Sequence, residues 1–145
     1  MTRAVRGVFL TIAVLAVAGM AVSSISLYHH FQTSKTDYCD YGETFNCDIV
    51  NRSVYSTIFG IPVALIGILG YAALGVLATV YRDRVDTPKA LMGASVAGLA
   101  FALYLTYIEG FVLGTWCVLC LSSLTMIFLI TILASFLMAR SMRRA

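Results

Sequence analysis

Two cysteine pairs carry most of the chemistry that this sequence can do. Cys117 and Cys120 form a Cys-x-x-Cys pair at the start of the last long apolar run. In the first turn of a helix, residues i and i+3 lie on one face, so both sulfurs would point the same way. The partial positive charge of a helix N-terminus favours a thiolate over a thiol. We therefore predict a redox site at Cys117 and Cys120.

The second pair, Cys39 and Cys47, lies in the only sizeable hydrophilic segment, residues 32–52, with Gly42 between the two cysteines. A loop of this length can close a disulfide. Taken alone, the pair would be read as a structural staple of an external loop. Beside a Cys-x-x-Cys pair, we interpret it instead as a dithiol that carries electrons between a soluble partner and the membrane.

The composition is that of a polytopic membrane protein, because 60% of the 145 residues are hydrophobic and only 12% are charged. Four charge-free runs can each supply the roughly 20 residues of a bilayer crossing. Helices satisfy their own backbone hydrogen bonds in lipid, so we predict an all-α four-helix bundle forming a single domain, residues 1–145. The helices are predicted at about 8–30, 62–81, 90–109 and 115–138, with an outer redox loop at 32–61.

The charges predict the orientation in the cell membrane. Eight of the ten basic residues flank helix ends on one side: Arg3, Arg6, Arg82, Arg84, Lys89, Arg140, Arg143 and Arg144. By the positive-inside rule this side is cytoplasmic, together with both termini. All four cysteines then lie on the outer, oxidising side. Because the basic residues are split among short segments, we expect membrane lipid and no nucleic acid as a partner.

The first apolar run also has features of a signal peptide, with a basic N-terminus and small residues at 21–23. It reaches Tyr28, which is longer than a usual signal-peptide core. Its removal would leave three helices, with the termini on opposite sides. We therefore predict that the first helix is retained.

The apolar run 53–81 is longer than one crossing needs, and Gly60 and Pro62 divide it. Proline suits the first turn of a helix, so we predict a helix from Pro62 and a short half-helix or re-entrant piece before it. Irregular backbone at membrane depth is tolerated where protein covers it or where it lines a cavity. We therefore predict a cavity near the outer leaflet.

The depth of the Cys-x-x-Cys pair follows from its distance to Arg140. The 20 residues from Cys120 to Arg140 span about 30 Å as a helix, close to the hydrocarbon thickness. Cys117 would therefore lie at the outer surface and Cys120 just inside it. Glu109 is expected to end the third helix as a solvated carboxylate, with a proton-relay role as the alternative. We expect no metal, because a zinc site is disfavoured on the oxidising side and His29 and His30 are at the wrong end of the loop.

The pattern resembles the vitamin K epoxide reductase family, particularly its small prokaryotic members. The residues that carry the resemblance are Cys39-Asp40, Cys47 with Val50 and Ser53 following, Ser56-Thr57-Ile58-Phe59-Gly60-Ile61-Pro62, and Cys117-Val118-Leu119-Cys120. The resemblance implies a four-helix bundle around a quinone, with the cysteine loop and a short half-helix capping the quinone pocket. The quinone could be a menaquinone, a ubiquinone or a phylloquinone.

The resemblance also implies an electron path through the four cysteines. A partner dithiol attacks the loop disulfide through Cys39, Cys47 then attacks Cys117, and the released Cys120 reduces the quinone. The chain stops at Ala145, so we expect the partner to be a separate thioredoxin-like (DsbA-like) protein.

The quinone contacts implied by the resemblance are Ser53, Ser56, Phe59, Cys120 and Leu124. Ser53 aligns with a hydroxyl residue beside the site, Ser56 with a position that hydrogen-bonds the quinone, and Phe59 would pack on its ring. Leu124 stands where animal members have a tyrosine that contacts the quinone and warfarin. Epoxide reduction and warfarin sensitivity are therefore not expected to carry over.

The predicted function is that of a membrane thiol:quinone oxidoreductase that supports disulfide formation outside the cytoplasm. One alternative is a quinone or vitamin K epoxide reductase with the same fold. A DsbB-type oxidase also has four helices and two cysteine pairs, but its Cys-x-x-Cys lies in the first outer loop. The third alternative is a structural membrane subunit with two external disulfides.

Overall fold

The computed structural model describes residues 2–31 and 53–144. Cys39, Cys47 and the greater part of the predicted redox loop lie outside the described residues. The described chain forms four α-helices, namely α1 (Arg3–Phe31), α2 (Val63–Thr79), α3 (Thr87–Tyr107) and α4 (Val118–Arg144).

Three of these helical segments are long and apolar enough to cross a membrane. They are α1, α3 with its continuation to Leu113, and α4. The second helix, α2, is apolar but only 17 residues long. The prediction of an all-α membrane bundle with four helices is confirmed.

The bundle core forms where α1 packs on α2 and α4, and where α3 packs on α4. Ile12, Leu91 and Ile130 are fully buried there. Gly19 of α1 allows the closest approach to α2, because a Cβ at this position would overlap the ring of Tyr71. Small residues let helix backbones approach closely in membranes, where lipid supplies no hydrophobic drive to association.

The segment before α2 is irregular, and it differs from the half-helix expected there. A single 3₁₀ turn, Val54–Ser56, is followed by two short antiparallel strands, β1 (Thr57–Ile58) and β2 (Ile61–Pro62). The strands are joined by Phe59 and Gly60, which both have positive φ, at 52° and 79°. This left-handed pair reverses the chain and so limits the helix to one turn. The helix α2 then begins at Val63, directly after Pro62.

Arg3, Arg6, Arg82 and Arg140 lie at one end of the bundle. The Arg140 guanidinium donates a hydrogen bond to the Thr2 hydroxyl at 3.3 Å, which joins the end of α4 to the start of α1. Arg3, Arg6 and Arg82 line a shallow pocket at the same end. The Cys-x-x-Cys pair lies at the other end of α4, whose 27 residues span about 40 Å.

Candidate functional site

The turn between α3 and α4 positions the Cys-x-x-Cys pair. After Tyr107 the helix widens into a π-helical segment, Ile108–Leu113, which ends at Gly114 in the left-handed conformation, φ 67°. The backbone N–H of Thr115 donates back to the Glu109 carbonyl at 3.1 Å and closes the turn. Such π-helical segments are rare, and they occur frequently at functional sites.

Cys117 is the residue immediately before α4, and its carbonyl accepts the backbone N–H of Leu121 at 3.0 Å. The helix therefore begins at Val118, three residues after the expected start, because the chain is still leaving the Gly114 turn. Cys117 is fully buried, whereas Cys120 is partly exposed. The two sulfurs thus have different surroundings although they are only three positions apart.

The two cysteine side chains are hydrogen-bonded to each other. Donation from the Cys120 thiol lowers the pKa of the Cys117 thiol, and this effect outweighs burial, which acts in the opposite direction. The N-terminus of α4 acts in the same direction as the hydrogen bond, because its partial positive charge favours a thiolate. Cys117 is therefore the sulfur that this arrangement stabilises as a thiolate.

Glu109 is buried, so the expectation of a solvated surface carboxylate is wrong. Its residue is only 1% exposed, and its Oε2 accepts a hydrogen bond from the backbone N–H of Cys117 at 3.2 Å. The wider turn of the π-helical segment places Glu109 on a different face of the helix. The Glu109 side chain therefore lies beneath the start of α4. A helix N-terminus has backbone N–H groups without helical partners, so an acceptor at this position is favourable.

The same carboxyl group also reaches the second cysteine. Glu109 and Cys120 make a side-chain hydrogen bond, so the one thiol proton of Cys120 has two acceptors in reach, the Cys117 sulfur and the carboxyl. The Oε1 atom of Glu109 is buried and accepts no hydrogen bond of good geometry from any described residue. Glu109 therefore contacts both ends of the Cys-x-x-Cys pair.

A cavity of about 410 Å³ opens beside this turn and is enclosed by all four helices and the 3₁₀ turn. Its size is within the range typical of small-molecule sites. The walls are mostly apolar and come from residues such as Ile66, Leu74 and Phe101. The polar groups that break this lining include Ser53, Ser56, His30, Tyr71, Glu109 and Cys120.

The structure brings three of the sequence-predicted contact residues together at this cavity, namely Ser53, Ser56 and Cys120. Phe59 and Leu124 are not among its lining residues. Phe59 is at the tip of the hairpin with its side chain fully exposed. Leu124 directly follows Ser123, which is one of the α4 residues that line the cavity.

His30 and Tyr71 are polar lining residues that were not singled out from the sequence as quinone contacts. The His30 Nδ1 atom is 3.3 Å from the Ser56 hydroxyl, which itself donates to the Ser53 carbonyl at 2.7 Å. Tyr71 donates to the backbone carbonyl of Ser123 at 2.8 Å. The sequence did indicate both residues, because each is a polar side chain in an otherwise apolar helix. Such a side chain is a candidate for a functional role in a membrane protein.

Within residues 2–31 and 53–144, no three His, Cys, Asp or Glu side chains come together as metal ligands would. The polar groups at the cavity are instead hydroxyls, an imidazole, a carboxyl and a thiol. These groups suit a ligand that accepts hydrogen bonds and exchanges protons.

Comparison with known protein families matches residues 10–135 of the chain to the model of the vitamin K epoxide reductase family. The match extends from α1 into α4 and spans the cavity and the Cys-x-x-Cys turn. The resemblance stated from the sequence is thereby confirmed.

Proposed function

This chain belongs to the vitamin K epoxide reductase family, and from that premise we propose that it is a membrane thiol:quinone oxidoreductase. It would take electrons from a thioredoxin-like dithiol and pass them through Cys39 and Cys47, then Cys117 and Cys120, to a quinone. The observation that carries the proposal is that Cys120 lines an apolar cavity while its partner Cys117 is buried beside it.

The residues at the cavity fit a quinone. Apolar walls suit the ring and the start of its isoprenoid tail, and the volume of about 410 Å³ accommodates a ring of that size. The Ser53 and Ser56 hydroxyls and the His30 imidazole can hydrogen-bond the ring carbonyls. When bound, a quinone accepts two electrons and two protons. Menaquinone, ubiquinone and phylloquinone all meet this description.

In the proposed mechanism the four thiols act in sequence. Oxidation joins Cys117 and Cys120 in a disulfide. A Cys47 thiolate then attacks the Cys117 sulfur, forming a mixed disulfide and releasing Cys120 as a thiolate beside the cavity. Cys39 next attacks Cys47, which closes the loop disulfide and restores Cys117. The loop disulfide finally oxidises the partner dithiol, through a mixed disulfide with Cys39.

We propose that the Cys-x-x-Cys end of the bundle faces the outside of the cell. The opposite end carries Arg3, Arg6 and Arg82 around one pocket, with Arg140 bonded to the start of α1. Positive charge accumulates on the cytoplasmic side of membrane proteins. Both termini would then be cytoplasmic, and all four cysteines would lie on the side where disulfides persist.

The test is quinone reduction by the purified protein in lipid nanodiscs, with a reduced DsbA-like protein as the electron donor. Short-chain menaquinone, ubiquinone and phylloquinone serve as acceptors. We expect Cys120→Ala to abolish turnover. Ser122→Ala is the matched control, because the Ser122 hydroxyl bonds the Val118 carbonyl of its own helix and does not line the cavity. Parental turnover in Cys120→Ala would overturn the proposal.

A further inference from the structure

We propose that Glu109 is the proton-exchange group of the Cys-x-x-Cys pair, taking the thiol proton of Cys120 and delivering it into the cavity. This inference rests on the proposed function and adds to it a catalytic residue outside the four cysteines.

The first observation is that a carboxyl group at position 109 is energetically more costly than a purely structural role there would require. Its bond to the Cys117 N–H needs only one acceptor atom, which the amide oxygen of a glutamine would supply. A carboxyl group inside a membrane-spanning segment is costly, and such residues generally mark proton or substrate paths. The second oxygen, Oε1, is buried and receives no well-formed hydrogen bond from the described residues.

The second observation is that the carboxyl group, the thiol and the cavity are contiguous. Glu109 makes a side-chain hydrogen bond with Cys120, and both residues line the cavity. Efficient general acid–base catalysis requires this hydrogen-bond reach between the proton donor and the acceptor. The ion pairs among the described residues, Arg82 with Asp83 and Lys89 with Asp86, do not involve Glu109. No described cation therefore explains the carboxyl group as half of an ion pair.

Other titratable groups face the same cavity, and they are engaged differently. His30 of α1 and Tyr55 of the 3₁₀ turn lie among the lining residues, with His30 close to the Ser56 hydroxyl. Tyr71 of α2 donates to Ser123. Cys117, directly before α4, and Cys120 within α4 both contact Glu109. Among the described residues, Glu109 is thus the carboxyl group in contact with the pair.

The protons that leave the thiols balance the electrons that pass to the quinone. The Sγ–H bond of Cys120 breaks, its proton bonds to the Glu109 carboxylate, and the electron pair stays on the sulfur. Counted from the two thiols, formation of the Cys117–Cys120 disulfide releases two electrons and two protons, one of which is the Cys120 proton already held by Glu109. Both electrons and both protons end on the quinone, which becomes a hydroquinone. Glu109 passes the Cys120 proton into the cavity and returns to its starting state.

The activity test compares Glu109→Gln with the parental protein. Glutamine keeps an oxygen for the Cys117 N–H but cannot carry the proton, so it separates proton exchange from helix capping. We expect kcat to fall by about a hundredfold or more. We also expect KM for the quinone to stay within a few-fold and the pH profile of kcat to change shape. Parental kcat with an unchanged pH profile would overturn the inference.

A second test needs no quinone and no variant at the site. Glutamate occurs only at positions 43 and 109, so ¹³C-glutamate labelling of a Glu43→Gln protein marks Glu109 alone. The pair is reduced and then oxidised with diamide, and the infrared difference spectrum is recorded. Because no quinone is present to accept it, the Cys120 proton stays on Glu109, so we expect a ¹³C-shifted carboxyl band to change from the ionised to the protonated form as the thiols are oxidised. No such band, in a protein whose pair oxidises fully, would overturn the inference even if Glu109→Gln fails to fold.

The proposed function and the role of Glu109 can be contradicted separately. If the parental protein does not reduce any of the quinones, the proposed function is wrong. If it does, and neither the Glu109→Gln kinetics nor the labelled band shows proton exchange, only the role of Glu109 is wrong.

Discussion

The Glu109 carboxylate accepts a hydrogen bond from the backbone N–H of Cys117, at 3.2 Å across the turn between α3 and α4. This bond ties the end of one membrane helix to the start of the next at the position of the redox pair. The orientation of Cys117 and Cys120 therefore depends on the π-helical segment that turns Glu109 inward.

Gly110 within that segment supports the same turn. A Cβ at Gly110 would lie 2.8 Å from the Trp116 ring, so an alanine would displace the indole that precedes Cys117. We expect Gly110→Ala to shift the fluorescence of Trp116, the only tryptophan in the chain, and to lower kcat several-fold. Gly93→Ala on α3 is the control, because nothing lies within 4 Å of a Cβ there. Identical emission spectra for the two variants would contradict this packing.

The Ser56 hydroxyl connects the 3₁₀ turn to α1 at the mouth of the cavity, through the Ser53 carbonyl and His30. Ser56→Ala should raise the quinone KM about fivefold, because one hydrogen bond contributes about 1 kcal/mol. The kcat value should change little. Ser24→Ala removes an exposed hydroxyl bonded to the Met20 carbonyl of its own helix and should leave KM unchanged. An unchanged KM in Ser56→Ala would mean that this hydroxyl does not position the quinone.

The hydrogen bond from Cys120 lowers the pKa of the Cys117 thiol, and this has a measurable consequence. A lowered pKa keeps the thiolate populated to lower pH, so Cys117 should react with methyl methanethiosulfonate below the usual thiol range. In a protein with Cys39 and Cys47 replaced by serine, Cys120→Ser keeps a donor and Cys120→Ala removes it. We expect the pH midpoint of Cys117 modification to be lower in the serine variant. Equal midpoints would show that the hydrogen bond does not hold the thiolate.

Several features of the fold and site could be predicted from the sequence because they depend on local patterns. Charge-free runs predict membrane helices, and a Gly-Ile-Pro sequence predicts where α2 begins. Ser53 and Ser56 belong to the short segment that leads into that start, so their place at the cavity mouth is consistent with chain order.

Other features depend on contacts between elements and could not be predicted in the same way. The burial of Glu109 requires a π-helical segment, which has no simple sequence pattern. The place of His30 at the cavity depends on how α1 is rotated against the 3₁₀ turn. Phe59 is turned to the surface by the left-handed conformation that it shares with Gly60. In each case the local sequence is compatible with more than one orientation of the side chain.

Electron transfer from Cys117 and Cys120 to a quinone is tested most directly by a single turnover without any partner protein. Fully reduced protein carrying serine at positions 39 and 47 is mixed anaerobically with an equimolar short-chain quinone. Hydroquinone is then measured by absorbance, and the cysteine peptides are identified by mass spectrometry. We expect one hydroquinone for each Cys117–Cys120 disulfide formed. Hydroquinone without that disulfide, or both thiols remaining alkylatable while quinone is unchanged, would contradict it.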